Sequence, residues 1–202
     1  MTSIAIIGTA GRGPLSVRLS WSLYQRCVGL VESTLSGRDL TQITLVSGGA
    51  AWMDHVAVTV FLRNYEKGLG LRLFLPVPLV EPSDMKERVE FRCTREGLIM
   101  NHYHDKFQVH LPQQVNPRAA FNSALQHGAE IKVIRGGFKK RNFSVGKVDE
   151  VWAFTWAEGE VPAEGGTRHT WDHSSAPVKR HASLLKLLRC AALQVEVQPW
   201  QV

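Results

Sequence analysis

The stretch that decides the fold runs from Ile43 to Asp54 and reads ITLVSGGAAWMD. Its first four residues form a β-branched run that stops at two glycines, which predicts a strand buried on both faces. Apolar side chains then recur at helical spacing from Ala51 to Tyr65, which predicts a helix. A strand that runs directly into a helix indicates a βαβ unit in a parallel sheet.

Similar units extend this pattern in both directions along the chain. Strands are predicted at 4–7, 71–75, 131–134, 148–156 and 195–197, and helices at 15–35, 116–127, 138–147, 167–175 and 183–192. The segment from 80 to 128 is less regular and is expected to be an elaborated insertion, with a helix at 84–94 and otherwise loop with short helices. We therefore expect one α/β domain over residues 1–202, with a mostly parallel central sheet.

Composition agrees with a globular protein. The 202 residues are 44% hydrophobic and 21% charged, close to the average for globular domains, which excludes a disordered chain, a fibrous repeat and a small disulfide scaffold. No apolar run approaches the roughly 18 residues that span a membrane. The net charge of +6 favours anionic partners.

The first residues and the cysteines indicate where in the cell we expect the protein. The start, MTSIAIIGTAGRG, has no basic region before its apolar stretch, so we interpret it as a strand and not as a signal peptide. Cys27, Cys93 and Cys190 are odd in number and lack metal-ligand spacing. We expect packed thiols in a cytoplasmic protein with no membrane partner.

Two glycine-containing loops follow the first two predicted strands. In an open parallel sheet, ligands bind at the carboxyl ends of strands where the strand order reverses. The first loop, 8–13, offers Gly8, Thr9 and Arg12 to a phosphate, although such a turn is more often only a turn. The second places the N–H groups of Ser47, Gly48 and Gly49 at the start of a helix, where the helix dipole favours an anion.

Asp54 and a third loop complete the expected crevice. Asp54 is a candidate for a ribose hydroxyl, and the alternative is that it complements the helix dipole while the preceding serine caps the helix. The third loop, 163–170, repeats the arrangement with Gly165, Gly166 and Thr167 before another helix. Two such loops at neighbouring strand ends converge on one crevice.

Three motifs together resemble the SLOG superfamily. SGGAAWMDHVA (47–57) is similar to its S-G-G-A-x-G-x-D-x-x-A stretch. KRNFSVGKVDEVWAF (140–154) resembles its R-N helix and following strand, and GGTRHTWD (165–172) resembles its second glycine loop. The superfamily includes the DNA-processing protein A single-strand binders, the lonely-guy (LOG) phosphoribohydrolases and YspA/YpsA-like nucleotide-binding proteins.

The resemblance implies a Rossmann-like three-layer sandwich that binds a nucleotide or nucleotide-derived molecule. The residues 47–49 would hold phosphate, Arg141 and Asn142 would line the crevice, and the residues 165–167 would close it. Thr170 occupies the position of the catalytic glutamate of the LOG enzymes, and Trp52 stands where the family has a glycine.

Catalysis would need a carboxylate close to the anomeric carbon of the ligand. Asp54, Glu164 and Asp172 are the candidates. Binding without catalysis fits the same loops equally well, because a phosphate cradle requires no base.

Other side chains suggest weaker hypotheses. His169 and His173 are four residues apart on a predicted helix, which suits a metal, but nothing supplies a defined third ligand. The alternative is that His169 contacts the ligand, and we expect neither a metal nor a cofactor. Trp52 and Trp156 are expected to face the crevice, where one of them stacks on a base.

The sequence thus predicts a protein that binds a nucleotide or nucleotide-derived small molecule between the 47–49 and 165–167 loops. The alternatives are a nucleoside 5′-monophosphate N-glycosidase and, less favoured, a module that binds single-stranded nucleic acid. A homo-oligomer is compatible with this class of fold, and no sequence feature specifies one.

Overall fold

The computed structural model describes residues 1–80, 89–163 and 165–193, with the backbone alone for the last three. The strands in these ranges are β1 Thr2–Gly8, β2 Ile43–Ser47, β3 Gly70–Leu75, β4 Leu79–Val80, β5 Glu90–Phe91, β6 Glu130–Val133, β7 Glu150–Thr155 and β8 Val178–Ser183. The helices are α1 Trp21–Leu35, α2 Val56–Asn64, α3 Arg95–Gln108, α4 Ala119–Gln126, α5 Gly137–Val145, α6 Gly166–His173 and α7 Leu184–Leu193.

Six of the described strands form one parallel sheet in the order β6-β3-β2-β1-β7-β8. The chain builds the sheet outward from β1 to β6, and then returns to the other side of β1 to form β7. The strand order therefore reverses between β1 and β7, where Ile4 pairs with both Leu45 and Glu150. This reversal is the place where parallel sheets bind ligands.

Successive side chains of β1 point to opposite faces of the sheet, and helices cover each face. Ile4 and Ile6 belong to a core that also takes in buried side chains of α1, α2, α3, α4 and α7. Ala5 and Ile7 face the opposite way, toward a smaller core with residues of α5 and α6. The predicted α/β fold, a Rossmann-like three-layer sandwich, is confirmed.

The middle of the chain differs from the prediction. Residues 84–88 of the expected 84–94 helix lie outside the described residues, and the rest contains β5, which pairs antiparallel with β4. The segment expected to be loop with short helices contains the 14-residue helix α3, capped by the Thr94 hydroxyl. Its buried residues Met100, His104 and Phe107 have helical spacing. Charged and polar side chains on the other face of the helix obscured this apolar pattern in the sequence.

Two predicted helices begin later than expected. Pro14–Arg18 forms a short 3-10 turn, and α1 starts after Ser20, whose hydroxyl accepts the Leu23 N–H. The helix predicted from Ala51 begins only at Val56, as α2. Trp52 has a φ of 64°, a left-handed conformation that does not fit a right-handed helix.

The last strands also differ from the prediction. Strand β8 was missed, because VKRHAS has no apolar run and is buried only over its last three residues. The strand predicted at 195–197 lies outside the described residues. None of the helices in the described part of the chain combines the length and apolarity needed to cross a membrane.

Candidate functional site

A cavity of about 420 Å³ opens at the carboxyl ends of β1 and β7. Its position coincides with the reversal of strand order, so the sheet topology accounts for it. The walls come from the loop after β1, the turn before α2, one face each of α3 and α5, and the loop between β7 and α6 with the start of α6.

A buried ion pair between Asp54 and Arg141 lies at this cavity. Asp54 Oδ1 accepts the Gly8 N–H at 3.0 Å, and Oδ2 lies 3.3 Å from Arg141 Nη1. The Ala50 N–H also contacts the carboxylate. Burial raises the pKa of Asp54 above its ordinary value, and Arg141 opposes part of that increase. Both carboxylate oxygens are therefore occupied by the protein itself.

The Ser47-Gly48-Gly49 loop packs against both residues of this ion pair. The Ser47 hydroxyl donates to the Asp54 carbonyl at 2.7 Å and accepts the Gly49 N–H at 3.2 Å. A Cβ on Gly48 would overlap the Arg141 guanidinium. The cavity is lined by Ala50, Ala51 and Asp54, which follow this loop, and not by the three loop residues themselves.

Gly8 at the end of β1, and Thr9 and Arg12 in the loop that follows, all line the cavity. The Arg12 guanidinium lies 4.8 Å from the centre of the Tyr103 ring and 5.8 Å from that of Phe138. These distances are typical of cation–π contacts. The loop thus places a positive charge beside two aromatic rings.

The start of α6 forms the next part of the wall. Gly165, Gly166 and Thr167 all line the cavity, together with Asn142. The Thr167 hydroxyl donates to the Gly8 carbonyl at 2.9 Å, and the Asn142 side-chain amide donates to the Gly166 carbonyl at 3.2 Å. The first N–H groups of a helix have no intrahelical acceptor, and the dipole makes this end positive.

An aromatic and aliphatic wall was not foreseen from the sequence. It consists of Ile99, Met100 and Tyr103 from α3 and Phe138 from α5. The spacing of Ile99 and Tyr103 at i and i+4 is the signal that could have indicated a shared helix face. Trp156 also lines the cavity, whereas the Trp52 ring is buried 4.5 Å from the Phe107 ring and does not.

The remaining predicted residues lie elsewhere. Asp172 is exposed and pairs with Arg168 at 2.7 Å, outside the cavity, and Glu164 lies outside the described residues. His169 stacks on His173 with ring centres 4.2 Å apart, also away from the cavity lining. The described residues contain no cluster of three histidine, cysteine or acidic side chains that would hold a metal ion.

A hydroxyl–imidazole pair occupies the end of β7. Thr155 lines the cavity, and its Oγ1 lies 2.8 Å from Nε2 of His181 on the neighbouring strand β8. His181 Nδ1 lies 2.8 Å from the Gly159 carbonyl. Because a carbonyl only accepts, Nδ1 carries the proton and Nε2 accepts the Thr155 hydroxyl. Burial lowers the pKa of His181 below its ordinary value.

Comparison with known proteins gives one informative relative. No protein-family model matches the chain. The uncharacterized protein R261 of Acanthamoeba polyphaga mimivirus is 30% identical over 174 residues, which span 84% of this chain and 88% of the viral protein.

Proposed function

The chain belongs to the family of the uncharacterized mimivirus protein R261, and we propose that it binds a nucleotide or nucleotide-derived small molecule in the cavity between β1 and β7. One observation carries the proposal: a single cavity is lined by the positive end of α6, two guanidinium groups and three aromatic side chains. The first two kinds of group bind a phosphate, and the third stacks on a base. The resemblance to the SLOG superfamily agrees with this ligand class.

The phosphate is assigned to the start of α6. Gly165 and Gly166 are exposed and have no side chain to obstruct an approaching anion, and the N–H groups that follow them are free of intrahelical acceptors. Arg141 adds a guanidinium whose Nε has no acceptor among the described residues. The proposed phosphate position is thus at the second of the two predicted glycine loops, while Gly48 in the first lies against Arg141.

The base is assigned to the wall of Tyr103 and Phe138. Aromatic rings attract a planar base by stacking and by removing apolar surface from water. The volume of about 420 Å³ falls within the usual range of 300–1,000 Å³ for small-molecule sites, which suits a mononucleotide better than a nucleic-acid strand.

Binding is favoured over N-glycosidic hydrolysis by the state of Asp54. Among the described residues, Asp54 is the predicted catalytic carboxylate that lies at the cavity, and both its oxygens already have protein partners. The contacts with Gly8, Ala50 and Arg141 use most of the lone pairs of the carboxylate and leave few for a substrate or a water.

The test is titration calorimetry with the four nucleoside 5′-monophosphates, the matching nucleosides and inorganic phosphate. We expect at least one nucleotide to bind, and its nucleoside to bind at least tenfold more weakly because it lacks the charged group. Release of free base from any of them would instead support the glycosidase.

A matched pair of variants identifies the phosphate position. Gly165 has a φ of 119°, which an alanine rarely adopts, and Gly159 of the same loop has an ordinary φ; an added Cβ meets open space at both. G165A is therefore expected to distort the start of α6 and weaken nucleotide binding at least tenfold, whereas G159A leaves it unchanged. Equal affinities of the two variants would refute the assignment to α6. Absence of binding by every nucleotide would refute the proposed function.

A further inference from the structure

We propose that Thr155 is a nucleophile and His181 its general base, and that together they remove the phosphoryl group of the bound nucleotide. This inference rests on the proposed function, because it uses the phosphate assigned to α6 as the electrophile. It adds a reaction to a site otherwise assigned to binding.

The geometry is that of an activated hydroxyl. A nucleophile, a base that accepts its proton and a group that orients the base form one hydrogen-bonded chain. Here the chain runs from Thr155 Oγ1 through the imidazole to the Gly159 carbonyl, with 2.8 Å at each step. The backbone carbonyl fixes the tautomer in which Nε2 has a free lone pair toward the hydroxyl.

The surroundings keep the imidazole neutral and able to accept a proton. The side chain of His181 is 7% exposed, and Lys186 of α7 further disfavours its charged form. The Trp171 ring of α6 lies edge-on with its centre 6.5 Å from the imidazole centre. No carboxylate among the described residues pairs with His181, so the free base is the ground state at neutral pH.

Two backbone amides face the same oxygen. The Ala163 N–H donates to Thr155 Oγ1 at 3.1 Å and the Ala157 N–H at 3.4 Å. Both contacts stabilise negative charge on the oxygen as its proton leaves. An attack on phosphorus uses the lone pair that now accepts the Ala157 N–H, so this longer and weaker contact has to break first, while the Ala163 N–H stays in place.

The position of Thr155 connects the pair to the phosphate. Thr155 ends β7, beside β1, and the loop that follows leads to the start of α6, so one cavity is lined by both Thr155 and Gly166. The positive end of α6 and the cavity's guanidinium groups would balance charge on the transferring phosphoryl oxygens.

The reaction needs no reactant other than the nucleotide and water. The Thr155 oxygen forms a bond to phosphorus, its proton moves to His181 Nε2, and the bond from phosphorus to the ester oxygen breaks. The leaving alkoxide, on the opposite side of phosphorus, takes a proton from solvent water and departs as the nucleoside hydroxyl. Water then attacks the phosphothreonine from that side and gives a proton to the solvent, while the imidazolium returns its proton to the threonine oxygen and inorganic phosphate is released.

The experiment measures phosphate release from nucleoside monophosphates and from p-nitrophenyl phosphate, with the full chain and the variants T155V, T155S and H181Q. T155V and H181Q are expected to lower the rate at least about 100-fold, the usual contribution of a general base, and T155S to stay within about tenfold of the parent. The rate of the parent should rise with pH through the lowered pKa of His181 and then level off.

A second measurement separates catalysis from support of the loop. Acid quenching with ³²P-labelled substrate should leave label on the parent and on T155S at position 155, and none on T155V, whose folding is checked by nucleotide binding. Nucleotide binding without phosphate release would overturn this inference and leave the proposed function standing. Release from p-nitrophenyl phosphate without any nucleotide binding would overturn the proposed function instead.

Discussion

Asp54 Oδ2 lies 3.3 Å from Arg141 Nη1, and each of the two side chains is more than nine-tenths buried. Their residues are 87 positions apart in sequence, on the turn before α2 and on α5. The ion pair therefore ties the two faces of the sheet together directly beneath the candidate ligand site. Its energetics are the basis of the first prediction.

Removal of one partner should be costly. The variant D54N keeps an acceptor for the Gly8 N–H but leaves the Arg141 charge without a counter-charge, and we expect it to lose about 3–5 kcal/mol of unfolding free energy. The double variant D54N/R141M should be more stable than the sum of the single losses by at least about 1 kcal/mol. Urea denaturation of the four proteins gives these values, and simple additivity would show that the pair is not coupled.

Gly48 should matter because of the guanidinium beside it. The variant G48A introduces a Cβ where Arg141 now lies, so we expect a loss of about 1–3 kcal/mol of stability and at least tenfold weaker nucleotide binding. Gly29, on the exposed side of α1, has open space around an added Cβ, and G29A should gain up to about 1 kcal/mol. Calorimetry measures nucleotide affinity and urea denaturation measures stability. A G48A protein that binds nucleotide as tightly as G29A would contradict the prediction.

Acid should destabilise the protein through two buried histidines. His55 donates to the Pro117 carbonyl and His104 to the Gly49 carbonyl, and burial lowers their pKa values to about 4 and about 3. The unfolded chain binds protons below its histidine pKa of about 6.5, whereas the folded chain does not. Each histidine should therefore cost about 2 kcal/mol of stability between pH 7 and pH 5, and the loss continues toward the folded pKa values.

The variant H104Q isolates one of these two contributions. Its side-chain amide still donates to a carbonyl but does not titrate, so its stability should fall by about 2 kcal/mol less than that of the parent between pH 7 and pH 5. Comparison of the two proteins cancels the contribution of Asp54, whose raised pKa acts in the opposite direction. Parallel pH profiles would show that His104 is not the group responsible.

The thiols should differ sharply in reactivity. Cys27 is fully buried in α1 and burial raises its pKa, whereas Cys93 is exposed. We expect 5,5′-dithiobis(2-nitrobenzoate) to modify Cys93 readily in the native protein and Cys27 only at the rate of unfolding. The variant C93S should lose the fast phase and retain the slow one. A Cys27 that reacts as fast as Cys93 would mean that α1 opens locally.

Local patterns in the sequence sufficed for the parallel α/β architecture. The β-branched runs of β1 and β2 end at glycines, and apolar spacing in α2 shows one buried face. Both signals act over a few residues and depend on the backbone preferences and side-chain periods of neighbours. The same patterns predicted the Gly165-Gly166 loop, because it connects a strand to the helix that follows it in sequence.

The tertiary structure alone decided which side chains share the cavity. Tyr103 enters from a helix whose polar face concealed its period, and Thr155 meets His181 because β8, a strand with no apolar run, pairs beside β7. Packing also sets Gly48, in the loop that the sequence predicts to hold phosphate, against the Arg141 guanidinium. Such neighbours are set by strand order and register, which depend on how whole layers bury apolar surface, and no short stretch of sequence contains that information.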